Sequence, residues 1–316
     1  MDDTLFDRTF LRQLEQFRLL ARQYPIGPYH GERQARRKGH GSDFFDFRAY
    51  VPGDDLRYVD WNMFARLDRL MLKLFQAEEV LCLHVLVDTS NSMSTGFPTK
   101  LHYALRAAAA FAYIGLINCE QVALGLFDST LYKTTSPRRG RNQISSVLQL
   151  LSGVRPGGTT NFESALTNYA IQSQVPGLVV IISDMMGCDN DYQRGIAALI
   201  ARRFEVRILQ LLAREEIHPR FNGDLKIVDI ETNQALETTA DRHAIAEYAK
   251  NLARFCEDLR DFCARRGVLY YSSTIAVMRL CGSRAKRFAL EVLSAMLLAP
   301  SALVWSKKLS VGLRTS

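Results

Sequence analysis

The chain has 316 residues, 47% of them hydrophobic and 23% charged, with a formal net charge of +7. That composition excludes a disordered chain, and so mild a basic excess is weak support for nucleic acid as a partner. The length allows one large α/β domain with an appended region, or two modest domains. Arg and Asp nearly balance over residues 1–80, whereas the C-terminal quarter is basic. The six cysteines (Cys82, Cys119, Cys188, Cys256, Cys263 and Cys281) show no C-x-x-C and no zinc spacing. Several lie in apolar runs, as buried free thiols do in a reducing compartment. The acidic start Met1-Asp2-Asp3-Thr4 lacks the basic and apolar pattern of a secretion signal, so the cytoplasm is the expected location.

In chain order, Leu5, Phe6, Phe10, Leu11, Leu14, Phe17 and Leu20 recur at helical spacing and predict a leading amphipathic helix over 5–24. Residues 31–41, rich in Arg and Gly, read as an exposed loop. From Phe44 to Phe75 short apolar pieces flank a turn at Pro52-Gly53-Asp54-Asp55, which predicts a small β-rich region or hairpin. Arg48, Arg57 and Arg66, interleaved with Asp46, Asp54, Asp55 and Asp60, suggest salt bridges there, with Tyr50 and Trp61 as packing anchors.

The pattern changes at residue 81. Leu81–Val87, Gly177–Ser183 and Val206–Leu212 are apolar runs expected of strands buried on both faces of a parallel sheet. Gln121–Phe127 and Val268–Ser273 read as further strands. Helices are expected at 100–118, 142–151, 162–174, 192–203 and 241–266. A hairpin is expected over 224–239, turning at Glu231-Thr232-Asn233-Gln234. This alternation predicts a doubly wound, mainly parallel α/β sheet with helices on both faces. The expected division is 1–80 for the helix and β-rich region, 81–275 for the α/β domain and 276–316 for a basic and apolar tail. Within that tail Phe288–Trp305 is apolar but interrupted by Glu291 and Pro300, so a packed or interfacial helix is preferred over a membrane span.

In open α/β sheets, ligands bind beyond the carboxyl ends of the strands. The first buried strand ends in Asp88-Thr89-Ser90-Asn91-Ser92, placing a carboxylate and two hydroxyls at alternate positions of one loop. Such oxygens suit a hard octahedral cation that keeps some of its waters, although a Ser-rich loop is also an ordinary helix cap. Gly157-Gly158-Thr159-Thr160-Asn161 precedes a helix, where glycine lets the backbone approach closely and a Thr hydroxyl offers another oxygen; a plain N-cap is the bland alternative. Asp184 ends a later buried strand at the same sheet edge. Each piece alone is unspecific, but together and in this order they are specific.

This constellation resembles the metal-ion-dependent adhesion site of von Willebrand factor A domains, with its D-x-S-x-S, Thr and Asp elements. The matching residues are Asp88, Ser90, Ser92, Thr160 and Asp184, with Thr159 as the fallback threonine. The resemblance implies that Ser90, Ser92 and Thr160 bind Mg²⁺ (or Mn²⁺ or Ca²⁺) directly or nearly so. Asp88 and Asp184 would hold its waters, and a partner's Asp or Glu would complete the shell. The segment from Gly39-His40-Gly41-Ser42-Asp43-Phe44 through Arg48-Ala49-Tyr50-Val51-Pro52-Gly53-Asp54-Asp55-Leu56-Arg57 to Val59-Asp60-Trp61 and Ala65-Arg66 also resembles the signature of the bacterial family called domain of unknown function 58 (DUF58). The resemblance covers roughly residues 30–275. It implies a chaperone-like or maturation adaptor working with a MoxR-type AAA+ ATPase, and it implies no enzyme activity.

Two other functions fit the sequence less well. A metal-dependent hydrolase or phosphotransferase would want a second carboxylate where Ser90 stands, and no H-E-x-x-H, G-x-S-x-G or phosphate-binding loop is present. His84, inside a strand, reads as core. Nucleic-acid binding through Arg33–Lys38 or Arg138-Arg139-Gly140-Arg141 lacks interleaved aromatics.

Overall fold

The computed structural model describes residues 5–21, 43–76, 82–118, 121–186, 191–219, 223–231 and 235–274. The Arg-rich stretch at 31–41 and the apolar segment at 288–305 lie outside them. The chain forms two compact units, one from Gly27 to Val80 and one from Met1–Ile26 together with Leu81–Ser316. The leading helix α1 (Arg8–Ala21) therefore belongs with the larger unit, not with the signature region as the expected division at residue 80 had it. The cause is local. Phe10 and Leu14 are buried in the larger unit's core, and Asp7 pairs with Arg106 at 2.8 Å.

In the smaller unit β1 (Asp43–Ala49) pairs antiparallel with β2 (Met71–Gln76), and between them lies a short helix α2 (Trp61–Leu67) that the alternating pattern did not announce. Its start is dictated by Asp60, whose Oδ1 accepts from the N–H groups of Asn62 (2.9 Å) and Met63 (3.1 Å). Asp60 also lies 3.1 Å from the Lys73 ammonium. The helix has no buried residue, so no apolar stripe marked it. Trp61 is 58% exposed and stacks edge-on against Phe64 of its own helix, so it is not the expected packing anchor. The expected salt bridges include Arg48–Asp54 and Arg57–Asp55.

In the larger unit β3 (Cys82–Asp88), α3 (Lys100–Ile117), β4 (Gln121–Phe127), β5 (Leu131–Thr134), β6 (Arg138–Arg139), α4 (Ile144–Ser152), α5 (Phe162–Gln172) and β7 (Leu178–Ser183) follow one another. They continue into α6 (Asp191–Ala201), β8 (Glu205–Leu212), α7 (Arg214–Ile217), β9 (Gly223–Val228), β10 (Ala235–Ala240), α8 (Arg242–Arg265) and β11 (Leu269–Thr274). The strand order is β11-β8-β7-β3-β4-β5, parallel from β11 to β4. β5 and β6 add antiparallel pairing to β4 at one edge, and β9–β10 form a separate hairpin. This is a doubly wound, mainly parallel α/β sheet.

Strand side chains alternate between two cores, because successive residues point to opposite faces. Leu83, Val85 and Val87 pack with α1, α3 and α4, while Leu86, Val179 and Ile181 pack with α5, α6 and α8. Burial on both faces explains why these strands read as unbroken apolar runs. The chain leaves β3 toward β4 but leaves β7 toward β8, on the opposite side. The crevice between the carboxyl ends of β3 and β7 is therefore the topological switch point.

His84 sits in the second core, its Nδ1 2.7 Å from the Tyr169 hydroxyl and its ring edge-on to Phe204. Burial pushes its pKa down to about 4. The unfolded chain then binds one more proton than the fold between about pH 6.5 and pH 4, so His84 makes stability rise with pH across that window. In metal-free protein a His84→Gln variant is expected to flatten the pH dependence of unfolding free energy, by at most about 1.4 kcal/mol per pH unit. Urea titrations at pH 5, 6 and 7 check this; parallel slopes for the two proteins would show that the imidazole is not held neutral.

Candidate metal-binding and interaction site

Asp88 ends β3 at the switch point and is fully buried. β7 runs beside β3 with Val87 opposite Ile182, so the next residue, Ser183, reaches Asp88. The Ser183 hydroxyl donates to Asp88 Oδ2 at 2.6 Å, and the Ser90 N–H donates to Oδ1 at 2.9 Å. After Ser90 the chain enters a 3₁₀ turn, Asn91–Ser94, which brings Ser90 Oγ and Ser92 Oγ to 3.0 Å from each other.

This loop is tied to the glycine loop that precedes α5. Asn91 N–H donates to the Gly158 carbonyl at 3.0 Å, and Gly157 N–H donates to the Thr89 carbonyl at 2.8 Å. Gly158 has φ +76°, a backbone angle that favours glycine, and a Cβ there would lie 3.2 Å from the Asp128 carboxyl group. Thr160 is buried and Thr159 exposed, which makes Thr160 the threonine turned inward. Its N–H donates to Glu231 Oε2 and its hydroxyl to Glu231 Oε1, both at 3.1 Å.

Asp184 follows β7 and is fully buried. Its Oδ1 accepts from Met186 N–H (3.0 Å), its Oδ2 from the Lys100 ammonium (2.7 Å) and its backbone carbonyl from Gln210 Nε2 (2.9 Å). Lys100 opens α3, is 1% exposed, and also reaches Glu216 Oε1 at 2.6 Å. Burial works to lower the pKa of this ammonium, but Asp184 and Glu216 outweigh it and raise it. Burial, reinforced by the nearby Asp184 charge, pushes the Asp88 carboxyl up to about 7.

Of the residues singled out from the sequence, Asp88, Ser90 and Ser92 are thus in one hydrogen-bonded group, and Asp184 lies next along the chain from Ser183, which is bonded to Asp88. Thr160 joins through the Asn91–Gly158 and Gly157–Thr89 links, its own hydroxyl being engaged by Glu231. Sequence reading missed Lys100, Ser183, Glu216 and Glu231. Lys100 and Glu216 carry no local signal, since one opens an alanine-rich helix and the other lies in a short acidic turn. Glu231 was visible only as a turn residue, 71 positions from Thr160.

The donor set fits a hard divalent cation. Adjacent oxygens of an octahedral shell with metal–oxygen distances of about 2.1 Å stand about 3.0 Å apart, which is the Ser90–Ser92 spacing. Each carboxylate oxygen keeps a second acceptor direction for a water. Among the described residues no three His, Cys, Asp or Glu side chains form a metal-holding group.

Residues 46–258 match the model of the family described as "Protein of unknown function DUF58". Uncharacterized proteins of Mycobacterium tuberculosis and Mycobacterium bovis are 26% identical over 278 residues, spanning 86% of this chain and 81% of theirs. Similar solved structures include the conserved hypothetical protein BatB from Bacteroides thetaiotaomicron (16% identity, 68% of this chain and 98% of that one, TM-score 0.41). Another is the vWF domain of the type V pili tip protein Mfa5 from Porphyromonas gingivalis (14% identity, 69% and 87%, TM-score 0.31).

Removing the buried ammonium strands two carboxylates. Lys100→Met is expected to lower the unfolding free energy by about 3–5 kcal/mol. Adding Asp184→Asn should recover part of that loss. Denaturant titration of both variants checks the pair; equal losses would mean that Lys100 and Asp184 are not coupled.

Proposed function

The chain belongs to the DUF58 family, and from its site we propose that it is a cytoplasmic protein-interaction module that binds its partner through a divalent cation and catalyses no reaction. The observation that carries this reading is the pair of hydroxyls, Ser90 and Ser92, held at ligand-to-ligand spacing beside the fully buried Asp88. Ser90, Ser92 and Thr160 would hold Mg²⁺, with Mn²⁺ or Ca²⁺ as substitutes, and Asp88 and Asp184 would orient its waters. A cation bound mainly by neutral hydroxyls supplies an electrophilic centre that accepts a carboxylate oxygen.

The protein's own residues prepare the rest. Ser183 and the Ser90 N–H fix Asp88, and Lys100 fixes Asp184 against Glu216. A pocket of about 210 Å³ adjoins the site, lined by Thr89, Asp128, Tyr132 and Gly157 together with the basic Lys133 and Arg155. Cationic groups beside a carboxylate-accepting centre favour an acidic segment. The proposed partner is a MoxR-type AAA+ ATPase, or a client of one, presenting an Asp or Glu.

Two outcomes are expected. Asp88 must lose its proton before it can serve a cation, so Mg²⁺ affinity should rise with pH up to and just beyond 7 and then level off. Calorimetry at pH 6, 7 and 8 in buffers of different ionisation enthalpy checks this; affinity that ignores pH would remove Asp88 from the site. Purified MoxR-type ATPase from the same source should be captured in Mg²⁺ but not in EDTA, and not by Asp88→Ala. Capture that persists under both conditions would place the contact elsewhere.

A further inference from the structure

Thr160 does not stand open to a partner. Its N–H and hydroxyl both donate to the Glu231 carboxylate, each at 3.1 Å. Glu231 lies beyond β9 in the β9–β10 connection, where its own N–H donates to Asp229 Oδ1 at 2.8 Å and bends the tip. An excursion of 71 positions thus returns a carboxylate to the one threonine of the site. Its Oε1 stands from Thr160 Oγ1 at about the spacing that separates Ser90 Oγ from Ser92 Oγ, the spacing of neighbouring ligands around one small cation.

The described side chains of the rest of the hairpin face solvent. Gly223, Asp224, Lys226, Val228, Asp229, Ile230, Ala235 and Glu237 are all exposed, while Glu231 is half-buried. Val228 and Ile230 are 52% and 44% exposed. Side chains as exposed as these contribute little to holding an element closed. The hairpin thus delivers a carboxylate to the site on an arm whose described outer residues are exposed.

We propose that Glu231 is the site's internal ligand: its carboxylate occupies the position that a partner's Asp or Glu takes, and the hairpin moves off when the partner enters. This rests on the reading of the site as a cation site. A self-occupied site binds a partner with an affinity reduced to the fraction of time the hairpin is withdrawn, so partners compete with Glu231 on equal chemistry. It also keeps an electrophilic cation from capturing stray carboxylates.

The test uses Mn²⁺ as the probe on the full chain, with affinity read by electron paramagnetic resonance and inner-sphere water by proton relaxation. Glu231→Gln is expected to bind Mn²⁺ about tenfold more weakly and to gain one exchangeable water. Acetate should displace that water in Glu231→Gln and leave the wild type unchanged. Equal affinity and hydration in wild type and Glu231→Gln, with binding lost in Asp88→Ala, would overturn the proposal and leave the cation site standing. No Mn²⁺ binding by the wild type would overturn both. Circular dichroism confirms that the variant is folded. The acetate response of the wild type needs no substitution, and displacement of water there would also overturn the proposal.

Discussion

Asp88 is a carboxylate with no exposed surface at the end of the central strand, and a buried charge without compensation is costly enough to change its protonation state. Its neighbours are arranged around that constraint. Ser183 and the Ser90 N–H hold its two oxygens, and the second buried carboxylate, Asp184, pushes its pKa up instead of relieving it. Two carboxylates at one sheet edge are tolerable in three ways: a proton on Asp88, the Lys100 ammonium on Asp184, or a cation between the hydroxyls and both acids. The structure displays the second. A cation entering this site would have to replace the first, which would link its binding to proton release.

The doubly wound sheet makes this arrangement possible. β3 and β7 are adjacent and parallel, but their following connections leave in opposite directions, so two acids from distant parts of the chain end side by side above a crevice. The helices that cover the two faces then contribute from their termini. α3 brings Lys100 with its first residue, and the loop before α5 brings Thr160. The hairpin after α7, whose described side chains are mostly exposed, brings Glu231.

Much of this was legible in the sequence, for physical reasons that also mark its limits. Strands buried on both faces leave unbroken apolar runs, so β3, β7 and β8 were found nearly to the residue, and the acids that end β3 and follow β7 stood out against them. Asp88, Ser90 and Ser92 lie within one loop and could be read together. Helix α2 was missed because a single cap, Asp60, creates it without burying a face. The edge strands β5 and β6 were missed because they are short and mostly exposed. The roles of Lys100, Glu216 and Glu231 left no trace because ion pairs and hydrogen bonds between residues far apart in the chain leave no periodic pattern. The leading helix was assigned to the wrong unit because amphipathicity shows that a helix packs and not what it packs on.

Anomalous diffraction from crystals grown with Mn²⁺ measures the central claim directly. A peak is predicted at coordination distance, about 2.1 Å, from the hydroxyls of Ser90 and Ser92, and absent from crystals of Asp88→Ala. A fully Mn²⁺-equilibrated crystal with no peak there, and with Ser90 and Ser92 still hydrogen-bonded to each other, would contradict a cation site at the switch point.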